Sequence, residues 1–113
     1  MPFIHTRTNQ TVSPAQEQQM TRELGRAIGI LGKSEQWLML QFEDGCRMAF
    51  RGENRQPMAF VEVKLLGRAQ GDAYERLTGE ITRIVADALA VAPDCIYVKY
   101  EQTEYWGWNG SNF

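Results

Sequence analysis

The chain says the same thing twice. A strand-length apolar stretch, an amphipathic helix and a second apolar stretch follow one another over residues 2–55, and the order returns over residues 56–104. In the first half, Pro2 to Thr8 reads as a short strand. Ser13-Pro14-Ala15-Gln16 then gives a helix start, with Ser13 as cap, Pro14 at the first helical position and Gln16 closing a capping box. Met20, Leu24, Ala27, Ile28 and Leu31 recur at helical spacing, and Gly32 stops the helix. Trp37 to Phe42 reads as a buried strand. Glu43 to Arg55 is turn-rich, with Met48-Ala49-Phe50 as a short extra strand. In the second half, Met58 to Leu66 is a strand ended by Gly67. A helix begins near Asp72, with Glu75 placed to complete a cap and Tyr74, Leu77, Ile81, Ile84, Val85 and Ala88 on its apolar stripe. Pro93-Asp94 turns the chain into a last strand, Cys95 to Tyr100.

A β-α-β unit crosses over, so the strands within each half should pair in parallel. Two helices with one apolar face each fit an α+β two-layer sandwich, both helices on one side of a four-stranded mixed sheet. At 113 residues the prior is one domain, 1–113, closed by an aromatic tail over residues 105–113. Val61, Val63, Leu65, Ile96 and Val98 include both sequence parities, from which both sheet faces are expected to be partly apolar. With the aromatic tail, that is more apolar surface than one small chain covers, so a closed homo-oligomer is expected.

Twelve basic and fourteen acidic side chains leave a net charge of −2, which is poor equipment for a nucleic-acid partner. No apolar run reaches membrane-spanning length and no signal peptide is visible, so the expectations are no membrane partner and a cytoplasmic location. Cys46 and Cys95 form no CxxC. They are expected to be reduced, buried thiols, with no metal site and no redox motif. His5, the single histidine, has no partner that spacing identifies and reads as structural.

Chemistry enters at the N-terminus. An initiator Met is removed when a small residue follows, and Pro2 qualifies. The mature chain would then begin with a secondary amine, fixed by the strand behind it. An α-amino group titrates near 7.7–8.0, desolvation lowers that value, and a base of near-neutral pKa suits proton transfer at physiological pH.

These residues converge on a family. Pro2, Leu31-Gly32-Lys33, Met48-Ala49-Phe50 with Gly52, Leu66-Gly67, Pro93-Asp94 with Ile96-Tyr97-Val98, and Gly107-Trp108-Asn109-Gly110-Ser111 ending in Phe113 occur in order along the whole chain. In this the chain resembles the macrophage migration inhibitory factor group of the tautomerase superfamily. The resemblance implies a β-α-β-β-α-β subunit, a homotrimeric barrel with active sites at subunit interfaces, and a cofactor-free keto–enol tautomerase of phenylpyruvate-like 2-keto acids. It implies Pro2 as the proton shuttle, Lys33 as the carboxylate ligand, the Leu66 backbone N–H as a second donor, and Tyr97 contributed across the interface. Trp37, Trp108 and Phe113 fall where the family lines its aromatic pocket.

Three departures bear on substrate choice. Lys99 stands where the mammalian cytokine has asparagine, adding a cation that either faces the pocket or snorkels to solvent. Trp106 replaces a valine and should narrow the pocket mouth. Met58-Ala59-Phe60-Val61 replaces a Cys-x-x-Cys, so no thiol oxidoreductase activity is expected. The alternative to an enzyme is a cytokine-like protein that retains the pocket but acts through a receptor partner, reached by non-classical secretion.

Overall fold

A computed structural model describes residues 1–113. The main sheet has four strands: β1 (Pro2–Thr8), β2 (Met39–Glu43), β3 (Ala59–Leu66) and β4 (Ile96–Thr103), in spatial order β2-β1-β3-β4. β1 pairs in parallel with β2, β3 pairs in parallel with β4, and the two halves join through the antiparallel β1–β3 ladder. The β-α-β-β-α-β order and four-stranded mixed sheet expected from the sequence are therefore the architecture. Helices α1 (Pro14–Ala27) and α2 (Gly71–Leu89) supply the two crossovers. Neither is long and apolar enough to cross a membrane.

Local chemistry explains the first helix. Ser13 accepts from the Gln16 amide and the Gln16 side chain answers to the Ser13 amide, the reciprocal capping box, with Pro14 at the first position. A 3₁₀ turn over Ile28–Leu31 extends it, and Gly32 ends it in the left-handed region at φ 72°. Helix α2 differs from expectation. It starts at Gly71 with Gln70 as its cap residue and no side-chain cap bond, so Glu75 lies too far along to close one. Asp72 in the first turn still meets the positive end of the helix dipole.

Ile4, Val61, Val63 and Leu65 from the sheet meet Met20, Leu24 and Ile28 from the first half and Leu77, Ile81, Ile84 and Val85 from α2, all fully buried. Each such side chain contributes about 1.5–3 kcal/mol over an exposed one. Register corrects the expectation of two partly apolar faces built on these valines and isoleucines. Val98 lies opposite Val61 and Ile96 opposite Ala59, so the odd and even positions belong to one face, the helix face. The other face carries Phe3, Met39, Phe60 and Tyr97 beside His5, Arg7, Glu62, Lys64, Lys99 and Glu101, so it is partly apolar as expected, but through other residues than those valines and isoleucines. His5, buried, donates through Nε2 to Glu43 at 2.8 Å, giving the histidine the partner that spacing concealed.

Two other expectations change. Trp37 closes a separate 3₁₀ turn, Glu35–Trp37, whose Gln36 amide donates to Ser34 Oγ, and β2 begins only at Met39. It is an edge strand, with Met39 67% exposed, not a buried one. Met48–Phe50 forms no strand; only a single bridge, Phe50 to Glu53, occurs there. Cys46 and Cys95 are free but only half-buried.

Candidate active site

The ladder places Pro2 directly opposite Leu65, at the C-terminal end of β3, and buries it. One residue on, the Leu66 amide donates to the Met1 carbonyl at 3.1 Å. Gly32 turns the chain after the first helix so that Lys33, half-buried, reaches over the same strand end. Its Nζ donates to the Leu66 carbonyl at 3.0 Å. The Met1 ammonium titrates below the usual α-amino range, first because burial disfavours its charge and second because Lys33 repels it. Met1, Pro2 and Leu66 are thus joined by the backbone pairing of β1 with β3, and Lys33 is tied to them by its side chain.

In front of Pro2 lies a cleft of about 610 Å³, walled by Phe3, Trp37, Leu38, Met39, Trp106 and Trp108. Its aromatic side is built by the tail. Strands β5 (Gly107–Trp108) and β6 (Ser111–Asn112) form a hairpin around Asn109-Gly110, at φ 53° and 84°. Two positive φ values at Asn-Gly are the signature of the tight turn whose twist suits a hairpin. Trp108 meets Trp37 edge-on at 4.9 Å, and Phe113 stacks on Trp108 at 6.0 Å, with its amide donating to the Trp106 carbonyl at 3.1 Å. Phe113, 6.4 Å from Trp37, joins both tryptophans in one aromatic cluster.

Of the residues expected in the site, Pro2, Lys33, Leu66, Trp37, Trp106, Trp108 and Phe113 come together. Tyr97 and Lys99 do not, within one chain. Tyr97 sits opposite Phe60 on β4, and Phe60 is five residues from Leu65 along β3, roughly 17 Å at the usual strand rise. It packs on Phe50 at 5.2 Å, beside a separate apolar cavity of about 210 Å³ shared with Met48, Met58 and Cys95. Burial and the neighbouring Asp94 carboxylate push the Cys95 thiol up. Lys99 is exposed and donates to Glu101 at 2.9 Å. Sequence reasoning missed Lys64, which lines the cleft beside Pro2. Its even parity, opposite to Val63 and Leu65, was the available signal. Nowhere do three or more His, Cys, Asp or Glu side chains gather as a metal site would require.

Two β-α-β repeats under two helices, with a proline at residue 2 on the floor of an aromatic cleft, define the tautomerase class of fold. The family model described as macrophage migration inhibitory factor (MIF) matches residues 1–113, and the chain belongs to that family. The macrophage migration inhibitory factor of Meriones unguiculatus is 30% identical over 121 residues, spanning 100% of this chain and 99% of that protein. Among solved structures, MIF2 of Leishmania major is similar at TM-score 0.94 and 28% identity, covering 100% of this chain and 97% of its own. The homologue from Prochlorococcus marinus is similar at TM-score 0.89 and 27% identity, with 98% of each chain covered.

Proposed function

We propose that this protein is a cofactor-free keto–enol tautomerase of 2-keto acids such as phenylpyruvate, with Pro2 as its acid and base once Met1 is removed. Family membership supports the general class, tautomerase or MIF-like. The observation that carries the enzymatic reading is the placement of Pro2, buried at the floor of an aromatic cleft next to a lysine and a backbone N–H. Loss of Met1 converts the Pro2 amide nitrogen to an amine and at the same time frees the Leu66 N–H.

The chemistry follows from those parts. The substrate carboxylate pairs with Lys33, and the Leu66 N–H donates to an adjacent oxygen, where negative charge gathers as the enol forms. The neutral Pro2 amine takes a proton from C3. The electrons of that C–H bond become the C2=C3 double bond, the carbonyl oxygen accepts a proton from water to give the enol, and the Pro2 ammonium gives its proton to the hydroxide left behind, restoring water and the neutral amine. The reverse passage returns the proton from the Pro2 ammonium to C3. The apolar wall holds an aryl ring and keeps Pro2 uncharged.

Tyr97 joins this site only from another copy, in keeping with a homotrimer in which Tyr97 of the partner subunit enters the cleft. The test is phenylpyruvate ketonisation by trimmed protein beside Pro2→Gly, with assembly state measured by light scattering. A fast rate that collapses in the variant supports the reading. No rate above buffer, with Pro2 verified as the first residue and trimer present, removes it.

A further inference from the structure

We infer that the cleft selects 2-keto acids carrying a second anionic group, and that Lys64 is the residue that reads it; this rests on the catalytic reading of Pro2 above. Lys64 lies opposite Phe3 on β1 and lines the cleft beside Pro2. It is half-buried, yet its ammonium makes neither a hydrogen bond nor an ion pair, unlike the neighbouring cations of the same sheet face.

The surrounding carboxylates explain why. Glu62, two residues back on β3 and on the same face, is held by Arg7, which also keeps its carboxyl below the usual range. Glu101, directly opposite Lys64 on β4, is held by Lys99 at 2.9 Å. Glu43, on β2, is shared by His5 at 2.8 Å and Arg7 at 3.7 Å. Every carboxylate on that face has a nearer partner. Within the chain Lys64 remains a free cation at the edge of a cleft whose other side chains are uncharged, where desolvation favours capture of an anion.

Lys33 does not duplicate it. Lys33 belongs to the Leu66 end of the site, bonded to that carbonyl and close to the terminal amine. Lys64 lies two residues back along β3, roughly 7 Å at the usual rise. A substrate with its carboxylate at Lys33 and the adjacent oxygen at the Leu66 N–H reaches Lys64 with its other end. A monoanion leaves Lys64 empty. Lys99, already occupied by Glu101, is not the cation that makes this choice.

The experiment compares 2-oxoglutarate with 2-oxopentanoate, which has the same chain length and lacks the second carboxylate. C3 proton exchange in D2O is followed by NMR for trimmed wild type, Lys64→Gln and Lys64→Arg. Quenching of tryptophan fluorescence gives the affinity for each acid independently of turnover. Wild type should favour the diacid in kcat/KM by about tenfold, the scale of one partly exposed charge-assisted bond. Lys64→Gln should bring the ratio to about one, chiefly through KM, and Lys64→Arg should keep it.

Equal handling of the two acids by wild type, or a ratio that Lys64→Gln leaves alone, overturns the inference while proton transfer by Pro2 stands. If neither acid exchanges, fluorescence decides the inference, and the catalytic reading is judged separately by phenylpyruvate ketonisation in the same sample. Tighter binding of the diacid that Lys64→Gln abolishes then still supports anion selection by Lys64, and equal binding removes it.

Discussion

The Leu66 amide donates to the Met1 carbonyl at 3.1 Å, and Lys33 donates to the carbonyl of the same leucine at 3.0 Å. Met1 therefore occupies, through its own backbone, the donor that the proposed reaction needs. Processing of the N-terminus does two things in one cut: it creates the amine and uncovers the N–H.

Protein that keeps Met1, prepared in a host lacking methionine aminopeptidase or with a short N-terminal extension, should lose the phenylpyruvate reaction. General acid–base catalysis is worth roughly 10²–10⁴-fold, and the loss should fall in that range. Trimming the same sample to Pro2 should restore the rate, with mass spectrometry reporting the fraction trimmed. Full activity with Met1 in place would show that Pro2 is not the base.

The pH dependence has a definite sign. The Met1 amine is depressed by burial and then by Lys33, and the Pro2 amine that trimming creates one residue further along the strand should be depressed by the same causes. A lowered amine pKa means the neutral base forms at lower pH, so kcat/KM should rise along a limb centred below about 7.7 and level off above it. Lys33→Met removes the second cause and leaves the first, so the limb should move to higher pH while KM rises. Linkage runs the same way. Between the folded and unfolded pKa the unfolded chain binds the extra proton, so stability should increase as pH rises through that window. A limb that stays fixed in Lys33→Met would remove Lys33 from the electrostatics of the base.

Away from the cleft, the Tyr100 hydroxyl donates to the Tyr74 carbonyl at 3.1 Å and lies 2.8 Å from Thr78 Oγ, tying β4 to α2. Burial raises the pKa of this phenol. Tyr100→Phe leaves the packing and strands the Thr78 hydroxyl, at an expected cost of about 1–2 kcal/mol in urea unfolding. Its side chain faces the helices, on the opposite side of the sheet from Lys64, so kcat for phenylpyruvate should not change. A large kinetic effect would mean that α2 positions the site.

How far the sequence could be read follows the range of each interaction. The Ser13–Gln16 capping box was legible because it is settled within four residues. The β-α-β duplication was legible because it repeats a pattern. Which face Val98 shares with Val61 was not, since parity within one strand says nothing about the register between strands. Lys64 was overlooked although its parity within β3 already set it on the face away from Val63 and Leu65, and Lys99 was noticed although it pairs with Glu101. The separation of Tyr97 from Pro2 came only from combining the β1–β3 and β3–β4 ladders. Cap formation at Glu75 failed on a local detail: it needs Asp72 as the cap residue, and the cap falls two residues earlier, at Gln70.

The aromatic wall should respond separately from the core. Gly110 has φ 84°, and its hairpin pairs only β5 with β6, outside the four-stranded sheet. Gly110→Ala forces a Cβ into the left-handed region at a cost of roughly 1–2 kcal/mol. That strain falls on a two-stranded element that is marginal by itself. It should appear as opening of the tail, moving Trp108 off Trp37 and Phe113 off Trp108. KM for phenylpyruvate should rise about fivefold, tryptophan emission should shift to the red, and Tm should hardly move. Ile84→Ala gives the contrast, because Ile84 is fully buried against the sheet. It should lose about 2–5 kcal/mol of stability and leave the tail fluorescence as it was. If Gly110→Ala instead lowers Tm as Ile84→Ala does, the tail is part of the cooperative core and the wall cannot open alone.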